Sequence, residues 1–144
     1  MTFISEKICE LPEGYKPSEK EEFMNDFQRE YFRQKLIGWR EDLLANRDEV
    51  FKLLQEEAGA GSDVGDKAAS ETDMAYELRS KERARKLIVK IDEALQKIKN
   101  GNYGYCEETG EAISLKRLEA RPVAMLSLEA QERHEKQERV QKDD

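Results

Sequence analysis

The sequence predicts an all-α chain: a long antiparallel two-helix coiled-coil hairpin, then a small turn-rich head and a C-terminal helix. Three observations lead there. Apolar residues recur at alternating spacings of four and three along two separate stretches. A glycine-rich bend lies between the stretches. Charged residues make up 40% of the chain against a hydrophobic 38%, a balance that suits long solvated helices better than a thick core. At 144 residues the chain has room for one ordinary domain, so an extended hairpin leaves material for only a small head.

The elements follow in order. Residues 1–21 carry Pro12, Gly14 and Pro17 among polar residues and read as an N-terminal tail that docks late or loosely. The arm spans 22–102. Its first seam is Phe32, Leu36, Trp39, Leu43, Asn46, Val50 and Leu53, with Asn46 as a polar layer. The second is Met74, Glu77, Lys81, Ala84, Ile88, Ile91, Leu95 and Ile98, polar in its near half and apolar in its far half. Between them Ala58–Asp66 holds too much glycine to continue a helix, so the tip is placed at 58–70. Helices of about 30 residues at ~1.5 Å per residue make an arm of roughly 45 Å. Phe32, Leu36 and Trp39 are expected to face Ile91, Leu95 and Ile98. Asn100–Gly104 ends the second helix and opens the head at 103–144, whose short apolar runs give way to a charged helix from Leu128 to about Val140 with a frayed end.

Charge and motifs exclude several classes. With 32 acidic against 25 basic residues and a net charge of −7, affinity driven by many nucleic-acid phosphates is not expected, and a protein partner is. Two cysteines, Cys9 and Cys106, do not make a disulfide framework. There is no apolar run of membrane-spanning length and no signal-like leader, so the reading is cytoplasmic. Nothing pairs a nucleophile with a base, cradles a phosphate or marks a cofactor box, so the chain reads as not an enzyme.

The segment Tyr105–Ile113, with Leu118-Glu119-Ala120-Arg121-Pro122, resembles the zinc-finger head of the DksA/TraR family of bacterial transcription regulators. That family carries two Cys-x-x-Cys pairs; here the matching positions are Cys106, Thr109, Ser127 and Ala130, with residues 110–126 between the pairs. Asp63-Val64-Gly65-Asp66-Lys67-Ala68 is similar to the family's Asp-x-x-Asp-x-Ala tip, and Phe23-Met24-Asn25, Trp39-Arg40 and Glu77-Leu78-Arg79 add to the resemblance, which covers about residues 20–140. Structural zinc wants four thiolate or imidazole ligands, so three missing thiols predict a degenerate head without metal. Packing of Ile113, Leu115, Leu118, Leu126 and Leu128, and hydrogen bonds from Thr109 and Ser127, are expected to hold it instead. His134 is expected to point away along the last helix.

The resemblance implies a monomeric regulator whose arm enters the secondary channel of RNA polymerase and alters open-complex stability, together with ppGpp, in the stringent response. Such regulators repress ribosomal RNA promoters and activate some biosynthetic ones. It implies that Asp63, Asp66 and Ala68 face the polymerase active site, though the two aspartates equally suit helix capping. It implies that Arg83 and Arg117 grip the channel rim, although the run Arg79, Lys81, Arg83, Arg85, Lys86 is by default a solvated face. Lys90 and Arg121 match ppGpp-binding positions, with Leu87 packing beside the nucleotide or flanking the core; the family's third basic position is Gln131 here. Cys106 reads as a small packed residue before a redox thiol. A Gre-type transcript-cleavage factor and a coiled-coil adaptor without a polymerase role are the alternatives.

Overall fold

The computed structural model describes residues 6–58 and 64–143, with side chains at 6–46 and 71–140. It is helical, as the sequence predicts: α1 (Asp26–Ala58), α2 (Val64–Asn100), α3 (Leu115–Ala120) and α4 (Leu128–Asp143). Among the described residues the only β pairing is one antiparallel bridge, Tyr105 with Ala112. Two compact units result, one from Met1–Ile37 with Ile91–Asp144, the other from Gly38–Lys90. Of the tip loop expected over Ala58–Asp66, residues 64–66 already belong to α2, and 59–63 lie outside the described residues. The frayed end expected after Val140 is helical in backbone to Asp143.

In the first unit α1 and α2 pack antiparallel. Phe32, Leu36, Ile91, Leu95 and Ile98 are all fully buried, on the seam the spacing predicts. Deleting one of these side chains would cost about 2–5 kcal/mol. The start of α1 meets the end of α2, where Arg29 Nη2 donates to the Ile98 carbonyl at 2.6 Å, a cation on a helix C-terminus. That end closes as a Schellman turn: the amide of Asn102 donates to the Lys97 carbonyl at 3.0 Å and that of Gly101 to Ile98 at 3.2 Å. Gly101 takes φ +84, which a side chain would strain.

Residues 6–25 lie against α1. Asn25 Oδ1 accepts from the amide of Gln28 at 2.8 Å, and Gln28 Oε1 accepts from that of Met24 at 2.8 Å, a capping box displaced by one residue. Further back, Glu30 is fully buried and its carboxylate accepts from the Ile8 amide at 2.9 Å, Gln34 Nε2 at 2.7 Å and Arg33 Nη1 at 3.0 Å. A buried carboxylate needs such partners. Tyr15 adds ring contacts to Phe27 at 5.7 Å and Tyr31 at 6.1 Å.

The second unit holds Gly38–Ala58 of α1 and Val64–Lys90 of α2. On α2 the predicted seam keeps its phase: Met74, Glu77, Lys81 and Ala84 are half-buried and Ile88 is buried. On α1 Trp39 and Leu43 are half-buried, but Asn46 is exposed, not a polar layer in the seam. An α-helix drifts about 20° per heptad from a 3.5-residue repeat, and Asn46 stands ten residues beyond Leu36, the last fully buried seam residue of α1.

Candidate functional site

The arm's candidate residues are presented by α2. Asp66 and Ala68 fall in the first turns of that helix. Asp63 lies outside the described residues, and the side chains of Asp66 and Ala68 do too. Arg83, Arg85, Lys86 and Lys90 are exposed, Leu87 is half-buried, and Arg85 pairs with Glu82 at 3.4 Å. Three large apolar side chains, Tyr76, Leu78 and Val89, are also exposed on this helix.

The head is a tight hairpin followed by two helices. The amide of Ile113 donates to the Gly104 carbonyl at 2.7 Å, Cys106 to Glu111 at 2.8 Å, and Gly110 to Cys106 at 2.9 Å. Gly104 has φ +93, and a Cβ there would meet Met24 and Phe23 side-chain carbons at 3.2 Å. Tyr103, buried, donates its hydroxyl to the Pro122 carbonyl at 2.8 Å. Ile113 and Leu118 are buried and Leu115 and Leu126 half-buried, as expected, whereas Leu128 is 58% exposed. As the first residue of α4 it projects where no other element covers it, and Val123, Ala124 and Ala130 fill the core in its place.

Cys106 is buried within this hairpin. Burial pushes its thiol up, but hydrogen bonds from the Thr109 hydroxyl and from the amides of Ser127, Thr109 and Glu108 outweigh that and bring it down to about 6. Thr109 Oγ1 also accepts from the Glu111 amide at 3.2 Å. Ser127 caps α4: its Oγ accepts from the Ala130 amide at 3.2 Å. Ala130 is fully buried. These four positions therefore bring together one thiol, two hydroxyls already engaged in turns and a methyl group.

The remaining head residues are more committed than the sequence suggests. Arg117 Nε donates to the Leu126 carbonyl at 3.0 Å, tying α3 to the loop before α4. Arg121 is exposed at the C-terminal cap of α3. Gln131 Nε2 donates to Glu135 at 3.3 Å. His134 does not point away along α4: its Nε2 meets Glu108 Oε1 at 2.5 Å, because a residue one helical turn past buried Ala130 returns to the face that packs on the hairpin. Glu119 of α3 receives Lys35 at 2.9 Å and the Tyr31 hydroxyl, and burial with that carboxylate contact pushes the Tyr31 phenol up to about 12.

Residues 28–98 match the family described as the N-terminal domain of DnaK suppressor protein DksA, and residues 101–136 match the prokaryotic dksA/traR C4-type zinc finger. The RNA polymerase-binding transcription factor DksA of Caulobacter vibrioides is 58% identical over 130 residues, covering 90% of this chain and 92% of its own. This chain belongs to the DksA family. The Escherichia coli DksA is 41% identical over 117 residues, covering 81% of this chain and 78% of its own. The solved structure of transcription factor DksA2 from Pseudomonas aeruginosa superposes with a TM-score of 0.76 at 42% identity, covering 81% of this chain and 90% of that one.

The head of this chain departs from the donor set that its matched family is described by. The C4-type zinc-finger match implies a tetrathiolate metal, but the donor set here does not fit one: Ala130 offers no ligand atom, and Ser127 Oγ and Thr109 Oγ1 are occupied by backbone amides. No group of three or more His, Cys, Asp or Glu placed to hold a metal occurs among the described residues. Sequence reasoning missed Gln28, Glu30, Arg29 and the His134–Glu108 contact. Only the first had a local signal, the Asn-x-x-Gln spacing of a capping box.

Proposed function

We propose that this chain is a transcription regulator that binds RNA polymerase through its secondary channel, alters open-complex stability and acts together with ppGpp. The observation that carries the reading is the 58% identity, over nine-tenths of the chain, to a protein named for binding RNA polymerase. The chain acts by binding, as a monomer and without catalysing a reaction itself. Asp63, Asp66 and Ala68 face the polymerase active site at the tip of the arm, residues 22–102. Arg83 and Arg117 grip the rim, and Lys90 and Arg121, with Leu87, meet ppGpp alongside polymerase groups. The exposed guanidinium of Arg83 and ammonium of Lys90 suit these tasks. For Arg117 the Nε bond to Leu126 leaves the outer guanidinium nitrogens to make the contact. The head works without zinc.

The mechanism is a population shift: the regulator favours whichever polymerase–promoter state it binds more tightly, by its difference in affinity for the two. An in vitro transcription assay at a ribosomal RNA promoter, with and without ppGpp, tests it. Repression strengthened by ppGpp is expected. Failure to co-purify with core polymerase would leave the adaptor reading standing, and robust transcript cleavage lost with Asp63→Asn and Asp66→Asn would favour the Gre-type one.

A further inference from the structure

A tetrathiolate zinc ion does one structural job in such a head: it ties the hairpin turn to the start of the last helix, two pieces of chain far apart in sequence. Without those thiols something else has to hold α4 against the hairpin. The hydroxyls at the vacated positions do not suffice, because Ser127 Oγ caps its own helix and Thr109 Oγ1 serves its own turn. The amides of Glu107 and Ser127 donate to the Met125 carbonyl, at 2.9 Å, and to Cys106, but these bonds fix the loop and the cap before α4 and not the body of the helix.

Within α4 itself the attachment is short. Ala130 is fully buried, Gln131 and His134 are half-buried, and every residue from Glu135 to Val140 is exposed. Among the described side chains, His134 is thus the outermost point at which α4 touches the head. There its Nε2 meets Glu108 Oε1 at 2.5 Å, and Arg133 Nη2 stands 3.9 Å from Glu108 Oε2, so both carboxylate oxygens face α4. Glu108 occupies the turn between Cys106 and Thr109, the first of the two matching ligand pairs, and His134 lies one helical turn beyond Ala130, the end of the second. The neighbouring Glu107 is turned the other way, onto Lys97 of α2 at 2.5 Å, which leaves Glu108 alone to reach α4 from that turn.

We infer that a side-chain clasp, Glu108 with His134 and secondarily Arg133, has taken over the metal's task of holding α4 on the hairpin. The inference rests on the proposed metal-free head. The clasp spans the same two chain segments as the lost metal, one turn further out. It is a positioning device, weaker than four metal–sulfur bonds, and beyond the capped first residue it leaves the body of α4 held by buried Ala130 and the contacts on Glu108.

Hydrogen exchange on the full chain at constant pH tests it. Glu108→Gln and His134→Gln, both at partly exposed sites, should each speed exchange of the amides of residues 131–136 by about two- to fivefold, the range an exposed pair supports. The double variant should be no faster than Glu108→Gln alone, since that change already removes the contact His134 makes. Unchanged exchange, or effects that multiply in the double variant, would overturn the clasp. Restoring thiols with T109C, S127C and A130C and loading zinc should make Glu108→Gln silent; a persisting effect there also counts against replacement. Zinc content of the unaltered chain separates the two ideas. Stoichiometric zinc would end the metal-free reading, and the clasp as a substitute with it, whereas absent zinc with unchanged exchange would end the clasp alone.

Discussion

The thiol of Cys106 shows how the one retained ligand residue of a degenerate head can keep part of its chemistry. Its thiolate collects the hydrogen bonds of Thr109 and of three amides, and these lower the ionisation to about 6 against the opposing effect of burial. Because the folded value lies below the unfolded one, the ionised thiol stabilises the fold fully above about pH 9. That contribution is lost as pH falls towards about 6. Stability measured by urea unfolding should therefore rise with pH between those limits, and Cys106→Ser should flatten the rise. Thr109→Val removes the largest of the lowering bonds, so it should move the thiolate absorbance titration upward in a Cys9→Ser background, where Cys106 is the only thiol. An unmoved titration would show that the amides alone set the ionisation.

At the scale of elements, what could be read from the sequence was whatever repeats locally. The seam at Ile88, Ile91, Leu95 and Ile98 is buried in the phase that the spacing predicts, because a helix converts sequence spacing directly into a face. The stop at Asn100-Gly101 was legible for the same reason. Asn46 was misplaced because ten residues, more than one heptad of drift, separate it from Leu36, the last fully buried seam residue of its helix. The N-terminal segment was harder still. Its docking depends on Glu30, buried and bonded to the amide of Ile8 across 22 residues, and no local pattern marks a carboxylate for burial. Glu30→Ala would leave the Ile8 amide and the Gln34 amide group without their acceptor, at a cost of about 1–3 kcal/mol. Limited proteolysis should then cut within residues 6–25 much faster than in the unaltered chain, while the circular dichroism of the four helices stays nearly the same. Equal cleavage would mean that the aromatic contacts of Tyr15 hold the segment without Glu30.

For the whole molecule, the proposed function separates attachment from effect. The exposed basic residues of α2 and the head are the proposed grip, and the tip carboxylates act on the polymerase only after the grip is made. Asp66→Asn changes one charge in the first turns of α2. It should bind core polymerase as the unaltered chain does and lose most of its repression at a ribosomal RNA promoter. Arg83→Ala should behave oppositely, weakening binding while a high enough protein concentration restores repression. Lys90→Ala should keep both binding and basal repression and lose the increment added by ppGpp. The nucleotide's phosphates demand cations, and with Gln131 at the family's third basic position this chain has fewer to spare, so removing one more should abolish the coupling and not merely trim it. A competition binding assay run beside the transcription assay decides the matter. If all three variants lose binding and repression in parallel, attachment and effect share one surface, and the division of labour between tip, rim and nucleotide site is wrong.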